Sequence, residues 1–64
     1  MEKPIIIKFK DLDTADEALV IVRYDEASVV VGLSLRSSGD MQVVMKKADA
    51  RKLVEALEKA MSQE

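Results

Sequence analysis

The chain has 64 residues, of which 48% are hydrophobic, 34% charged and 3% aromatic, and it contains neither cysteine nor histidine. This composition excludes histidine-dependent catalytic triads, thiol chemistry and zinc sites built from cysteine and histidine. In a chain this short without disulfides, hydrophobic burial and the conformational entropy lost on folding nearly cancel. We therefore expect one small domain, residues 1–64, that gains stability by self-association.

The net charge of −2 gives no strongly basic surface that would attract nucleic acid or an acidic membrane. The apolar runs are much shorter than the ~20 residues that span a bilayer. Residues 1–4 are partly charged and lack the layout of a signal peptide. We predict a protein that does not associate with membranes and resides in the cytoplasm.

Three strands are predicted before the middle of the chain. Ile5, Ile7 and Phe9 alternate with other residues at the period of two that is typical of a half-buried strand. An acidic break follows, in which Thr14 and Glu17 have the spacing of a capping box and predict a single helical turn. Runs rich in β-branched residues predict the next two strands. The three predicted strands cover residues 5–10, 18–24 and 29–36.

A hairpin is predicted between the third and fourth strands. A three-residue loop needs a type I turn followed by a left-handed residue, and Gly39 suits that last position. This loop would place Arg36 opposite Asp40. Counting back from there pairs Leu33 with Val43, so turn chemistry and hydrophobic pattern favour the same register.

The period changes to that of a helix after residue 47. Apolar residues recur on one side of residues 48–61, and Asp49 lies in the first turn, where a negative charge suits the helix dipole. The sequence therefore predicts an α+β fold of the type ββββα, a four-stranded antiparallel meander with one C-terminal helix packed on one face. The residues expected to cover that face are Leu53, Val54, Leu57 and Met61.

The opposite face of the predicted sheet is mixed. Gly32 lies between Ile21 and Val44 in the predicted register, which leaves a shallow hollow where a ligand or another backbone could approach. One helix cannot cover both faces, and unless the acidic break folds across it, an apolar patch stays open. The predicted assembly or partner interface consists of Leu19, Ile21, Val30, Gly32 and Val44. The polar rim expected to give it specificity consists of Arg23, Arg36, Gln42 and Lys46.

The residues that could carry chemistry do not form known constellations. The acidic cluster has no glycine at a sharp turn and lacks the spacing of a calcium loop. The serines have no histidine to activate them and no nucleophile elbow, and the two glycines are too far apart to cradle a phosphate. We predict no enzymatic activity, no cofactor and no metal site. The acidic cluster consists of Asp11, Asp13, Asp16 and Glu17.

The order of four strands followed by one helix is similar to the PC4-like transcriptional coactivator domain, a dimeric single-strand binder of comparable length. The resemblance covers element order over most of the chain and implies single-stranded nucleic acid as a ligand. Stacking aromatics that such binders use are not evident, because Phe9 and Tyr24 fit core positions. The candidate phosphate or anion contacts are Lys8, Arg23, Arg36 and Lys46.

Three functions remain open from the sequence. The first is a non-catalytic interaction module, a homodimer or higher homo-oligomer joined through the open sheet face or an edge strand, which binds another macromolecule. The second is single-stranded nucleic-acid binding, and the third is a small anionic ligand between subunits, with Gly32 as floor and Arg23 and Arg36 as clamps. We favour the first with a protein partner, because size, the open patch and the missing chemistry all support it.

Overall fold

The computed structural model describes residues 3–63. Its four strands form one antiparallel sheet in the order β1-β2-β3-β4, and the helix follows the last strand directly. This arrangement confirms the predicted ββββα fold. Met1 and Glu2, on which the prediction about a signal peptide partly depends, lie outside the described residues. The elements are β1 (Ile5–Lys10), β2 (Glu17–Tyr24), β3 (Ser28–Leu35), β4 (Gly39–Lys46) and α1 (Lys47–Met61).

The connection between β1 and β2 is a turn held by Asp11. Its carboxylate accepts hydrogen bonds from the backbone N–H of Thr14 at 2.9 Å and from the Thr14 hydroxyl at 2.8 Å. The predicted capping box is wrong, because Asp11 caps this turn and Glu17 is already the first residue of β2. The hydroxyl of Ser37 donates to the carboxylate of Asp16, so the acidic segment meets the β3–β4 turn at the end of the sheet.

The β2–β3 connection has the predicted register, with Tyr24 opposite Val29. One carboxylate oxygen of Asp25 accepts hydrogen bonds from the backbone N–H groups of Ala27 at 2.9 Å and Ser28 at 2.8 Å, and from the Ser28 hydroxyl at 3.0 Å. The Ala27 bond, followed by the two from Ser28, lowers the pKa of Asp25 below its ordinary value of 3.8. This turn therefore depends on an ionised aspartate.

The predicted pairing of β3 with β4 is wrong by two residues. The turn closes with a hydrogen bond of 3.0 Å from the Ser38 N–H to the Leu35 carbonyl, and Gly39, at φ 87°, opens β4 instead of ending the loop. Leu33 consequently lies opposite Met41. Because side chains alternate with a period of two, a two-residue shift changes the pairs but leaves every residue on its predicted face.

The strand register sorts the side chains into two faces, since directly paired residues share a face. Face A is hydrophobic throughout except for one glycine, and face B is mixed. Face A consists of Ile5, Ile7, Phe9, Ala18, Val20, Val22, Tyr24, Val29, Val31, Leu33, Leu35, Gly39, Met41, Val43 and Met45. Face B consists of Ile6, Lys8, Lys10, Glu17, Leu19, Ile21, Arg23, Ser28, Val30, Gly32, Ser34, Asp40, Gln42, Val44 and Lys46.

The helix packs on face A only near its own start. Ala50 and Val54 line a cavity together with Val22, Tyr24 and Val29, at the end of the sheet where β4 leads into α1. Ala18, 7% exposed, is the only buried hydrophobic residue among residues 3–63. A single chain thus has two layers at one end and a bare sheet at the other.

Candidate functional site

Face B brings the predicted interface residues together at its centre. Ile21 pairs with Gly32, and Val30 pairs with Val44 in the neighbouring row. Leu19 follows Ile21 two residues along β2 on the same face. Val44, 64% exposed, is the most accessible of the apolar members. The five residues therefore form one continuous apolar surface, as the alternation along the strands predicts.

The hollow predicted at Gly32 is present as an open concavity of about 450 Å³. A Cβ built on Gly32 would lie 3.7 Å from the Cβ of Ile21 and 3.9 Å from that of Gln42, which is ordinary contact. Gly32 therefore lies between Ile21 and Gln42, and its predicted neighbour Val44 lies opposite Val30, because the β3–β4 pairing is shifted. Arg23 also lines this concavity and gives it one cation.

The four candidate anion contacts do not converge on one point. Arg23 lines the hollow at Gly32, whereas Arg36 lines a different concavity, so they do not form the predicted pair of clamps. Lys46 lies opposite Ser28, at the other end of β3 from Arg36. At about 3.3 Å per residue these two positions are roughly 25 Å apart. A compact anion cannot contact both.

A second concavity, of about 570 Å³, lies where β1 and β2 meet the β3–β4 turn. Lys8 and Arg36 line it as two of the predicted contacts, and Lys10 joins them with Glu17 as the one carboxylate. Within residues 3–63 the only ion pair joins Lys52 to Asp49, at 3.8 Å. No carboxylate of that range therefore forms a salt bridge with the cations of this concavity. Sequence analysis missed Lys10, although its period-two spacing from Lys8 places both on one face.

Face B is basic although the whole chain carries a net charge of −2. Its two carboxylates belong to Glu17 and Asp40, and Asp40 accepts a hydrogen bond of 2.7 Å from the Ser34 hydroxyl. Both aromatic residues, Phe9 and Tyr24, are on face A, so no strand residue of face B offers an aromatic ring on which a base could stack. The strand residues that make face B basic are Lys8, Lys10, Arg23 and Lys46.

The larger uncovered apolar surface lies on face A, which was predicted to be core. Met41 at its far end is 67% exposed, and Leu33 beside it is half exposed. Contiguous exposed apolar surface is a feature that protein interaction sites share. A sequence signal was available, because the four long apolar side chains of one helix cannot cover the hydrophobic face of a four-stranded sheet. The other large exposed residues of this face are Ile5, Ile7, Phe9, Tyr24 and Val43.

The apolar stripe of α1 is also uncovered. The exposed fraction rises along the helix, from 39% at Leu53 to 54% at Leu57 and 77% at Met61. The helix therefore diverges from its own sheet as it proceeds. The same chain leaves an apolar sheet face and an apolar helix stripe unpartnered.

Residues 3–63 contain no group of three or more ligating side chains that could hold a metal ion. None of them belongs to a helix with the length and apolarity needed to cross a membrane. Comparison with known proteins gives no match for this chain, whether to a family model, a curated sequence or a solved structure.

Proposed function

We propose that this chain is a non-catalytic binding module that works as a homodimer, closed through face A and α1, and that binds a protein partner through face B. The observation that carries the proposal is the apolar surface that one chain leaves open on both the sheet and the helix. Exposed hydrophobic area of this kind stabilises association in proportion to the area removed from water.

The accessible area of the chain supports a second copy. One chain exposes 5614 Å², whereas a compact monomer of 7.1 kDa exposes about 4,100 Å² by the usual scaling with mass. The radius of gyration, 13.0 Å, likewise exceeds the roughly 10.7 Å of a compact domain of this length. The excess of about 1,500 Å² per chain is what an obligate homodimer of small subunits buries.

Face B supports the partner-binding part of the proposal. An apolar centre with a hollow at Gly32 offers room for an anchoring side chain, and polar residues surround it. Protein interfaces have this anatomy, in which an apolar core is enclosed by a polar rim. The basic strand residues of face B favour a partner segment that has acidic residues beside its apolar anchor.

Two neighbouring valines of β4 provide a matched test of which face closes the dimer. Val43 is on face A and Val44 is on face B, and both are at least half exposed. Because a lysine at position 43 would place a charge in the proposed interface, Val43→Lys should yield monomers or unfolded chain in sedimentation experiments. Val44→Lys should remain a folded dimer. The opposite result would assign assembly to the residues of face B.

Single-stranded nucleic-acid binding is the second candidate, and the basic character of face B favours it. Lys8, Lys10 and Arg36 line one concavity and could contact a phosphate backbone. The test is titration of a labelled oligonucleotide at low and moderate salt. A protein-binding module should show no saturable binding, whereas affinity that falls steeply with salt would support the nucleic-acid alternative.

A small anionic ligand at the Gly32 hollow is the third candidate, and there Arg23 would act without Arg36. A ligand specific for the folded state raises the melting temperature, so a nucleotide panel in a thermal-shift assay tests it. No shift at millimolar ligand is expected from a protein-binding module. Cytoplasmic location stays a prediction.

A further inference from the structure

We infer that each helix of the homodimer lies on face A of the partner copy, so that the two chains exchange helices. This inference rests on the proposed homodimer and names what covers its open sheet face. A twofold axis makes the exchange reciprocal, because any contact from the first helix to the second sheet is repeated in the opposite direction. The twofold symmetry then covers both sheets and both helix stripes with a single type of contact.

The way in which α1 begins favours packing of the helix on the sheet of a partner copy. No residue separates β4 from α1, and Lys46 leads into the helix with extended backbone at φ −75° and ψ 161°. The helix that starts there packs only against the near end of its own sheet. Leu57 and Met61 are consequently exposed, as is the Leu33 end of face A.

The dimensions of the two uncovered surfaces agree. The uncovered part of the apolar helix stripe, from Leu53 to Met61, is about 12 Å long at 1.5 Å per residue. Four strands spaced about 4.8 Å apart make a sheet roughly 14 Å wide between its outer strands. The uncovered helix stripe therefore crosses most of the sheet, for instance along the row Ile7, Val20, Leu33 and Met41.

The charges of the chain fit the same arrangement. The strand residues of face A carry no charge, so a helix laid on them buries no ionised group of the sheet. The charged residues of α1 lie beside its apolar stripe and would remain at the edge of the contact, in water. Both B faces stay outside, so the dimer presents two copies of the proposed partner surface.

The experiment uses disulfide formation between two different variants, which is unambiguous because the chain has no cysteine of its own. Met61→Cys, at the end of the helix stripe, is placed on one copy and mixed with Met41→Cys on the other; the two are refolded together and oxidised, and the cross-linked heterodimer is quantified by intact mass. The matched control replaces Met41→Cys with Gln42→Cys, an exposed neighbour on face B. Keeping the cysteines on separate chains excludes cross-links within one chain.

Helix exchange predicts at least about tenfold more heterodimer with Met41→Cys than with Gln42→Cys, because a disulfide needs Cβ atoms about 4 Å apart. Equal yields, or a larger yield with Gln42→Cys, would overturn the exchange. The molar mass of the unoxidised mixture is measured in parallel. A dimer without the Met41 cross-link contradicts only the exchange, whereas a folded monomer contradicts the proposed homodimer itself.

Discussion

Gly39 and Gly32 are the chain's two glycines, and they have different structural roles. Gly39 adopts φ 87°, a left-handed conformation that costs other residues about 1–2 kcal/mol. Gly32 has room for a Cβ at ordinary contact distances. Conformational freedom is therefore required at only one of these positions.

We expect Gly39→Ala to lower the free energy of unfolding by about 1–2 kcal/mol, because alanine is strained at positive φ. Gly32→Ala is the matched control and should be neutral or slightly stabilising, because it reduces the entropy of the unfolded chain. Urea denaturation at one fixed protein concentration measures both. Equal decreases in the free energy of unfolding for the two variants would contradict the turn geometry described for Gly39.

The turn at Asp25 predicts a pH dependence of stability. Because hydrogen bonds hold the folded-state pKa of Asp25 below 3.8, the ionised carboxylate stabilises the fold above about pH 3.8. That contribution is lost as the pH falls through the lower pKa of the folded state. Asp25→Asn should therefore be less stable than the unmodified chain near neutral pH, and the difference should shrink in acid.

Thermal melts between pH 2.5 and 7 measure this difference. Glu26→Gln is the control, since it removes a charge from the same turn, and among residues 3–63 the Glu26 side chain makes no recorded hydrogen bond. Near neutral pH, Glu26→Gln should lose less stability than Asp25→Asn. If the stability difference between Asp25→Asn and the unmodified chain stays constant over this pH range, the role assigned to the Asp25 hydrogen bonds is contradicted.

At the level of elements, the pairing of β3 with β4 is the feature that the sequence predicted incompletely. A glycine with positive φ can end a loop or open the next strand, and these choices differ by two residues in register. The hydrophobic pattern cannot distinguish these two registers, because each of them places Leu33 and Val43 on the same face. Only the closed turn from Leu35 to Ser38 decides between them.

Cysteine pairs across β3 and β4 test the register directly. Val30→Cys with Val44→Cys joins directly opposite residues and should oxidise readily within one chain. Val30→Cys with Lys46→Cys joins residues paired in the register predicted from sequence and should not, because diagonal neighbours are about 7–8 Å apart. Mass spectrometry at low protein concentration distinguishes them. Preferential closure of the second pair would contradict the observed register.

The helix illustrates what sequence patterns do and do not predict. Its extent and apolar stripe follow from periodicity, and the structure starts it at Lys47, one residue before the predicted 48. Its direction does not follow, since periodicity contains no information about the angle at which a helix leaves a strand. The sequence therefore placed the five predicted interface residues on face B but missed Lys10, and it assigned most of face A to a core that one chain does not close.

At the level of the whole molecule, the structure is a flat body of 35 × 33 × 16 Å whose thin dimension suits a sheet with little above it. A sheet with both faces in water has too little buried area to offset the entropy of ordering 64 residues. The proposed homodimer would make association part of folding, so we expect the stability of the chain to depend on its concentration.

The central claim is that a second copy closes face A. Sedimentation equilibrium of the unmodified chain tests it most directly, at micromolar concentration and moderate salt. The account predicts a single folded species of twice the 7.1 kDa chain mass, because the excess accessible area of about 1,500 Å² per chain suffices for an obligate dimer. A folded, cooperatively melting species at the mass of one chain would contradict it.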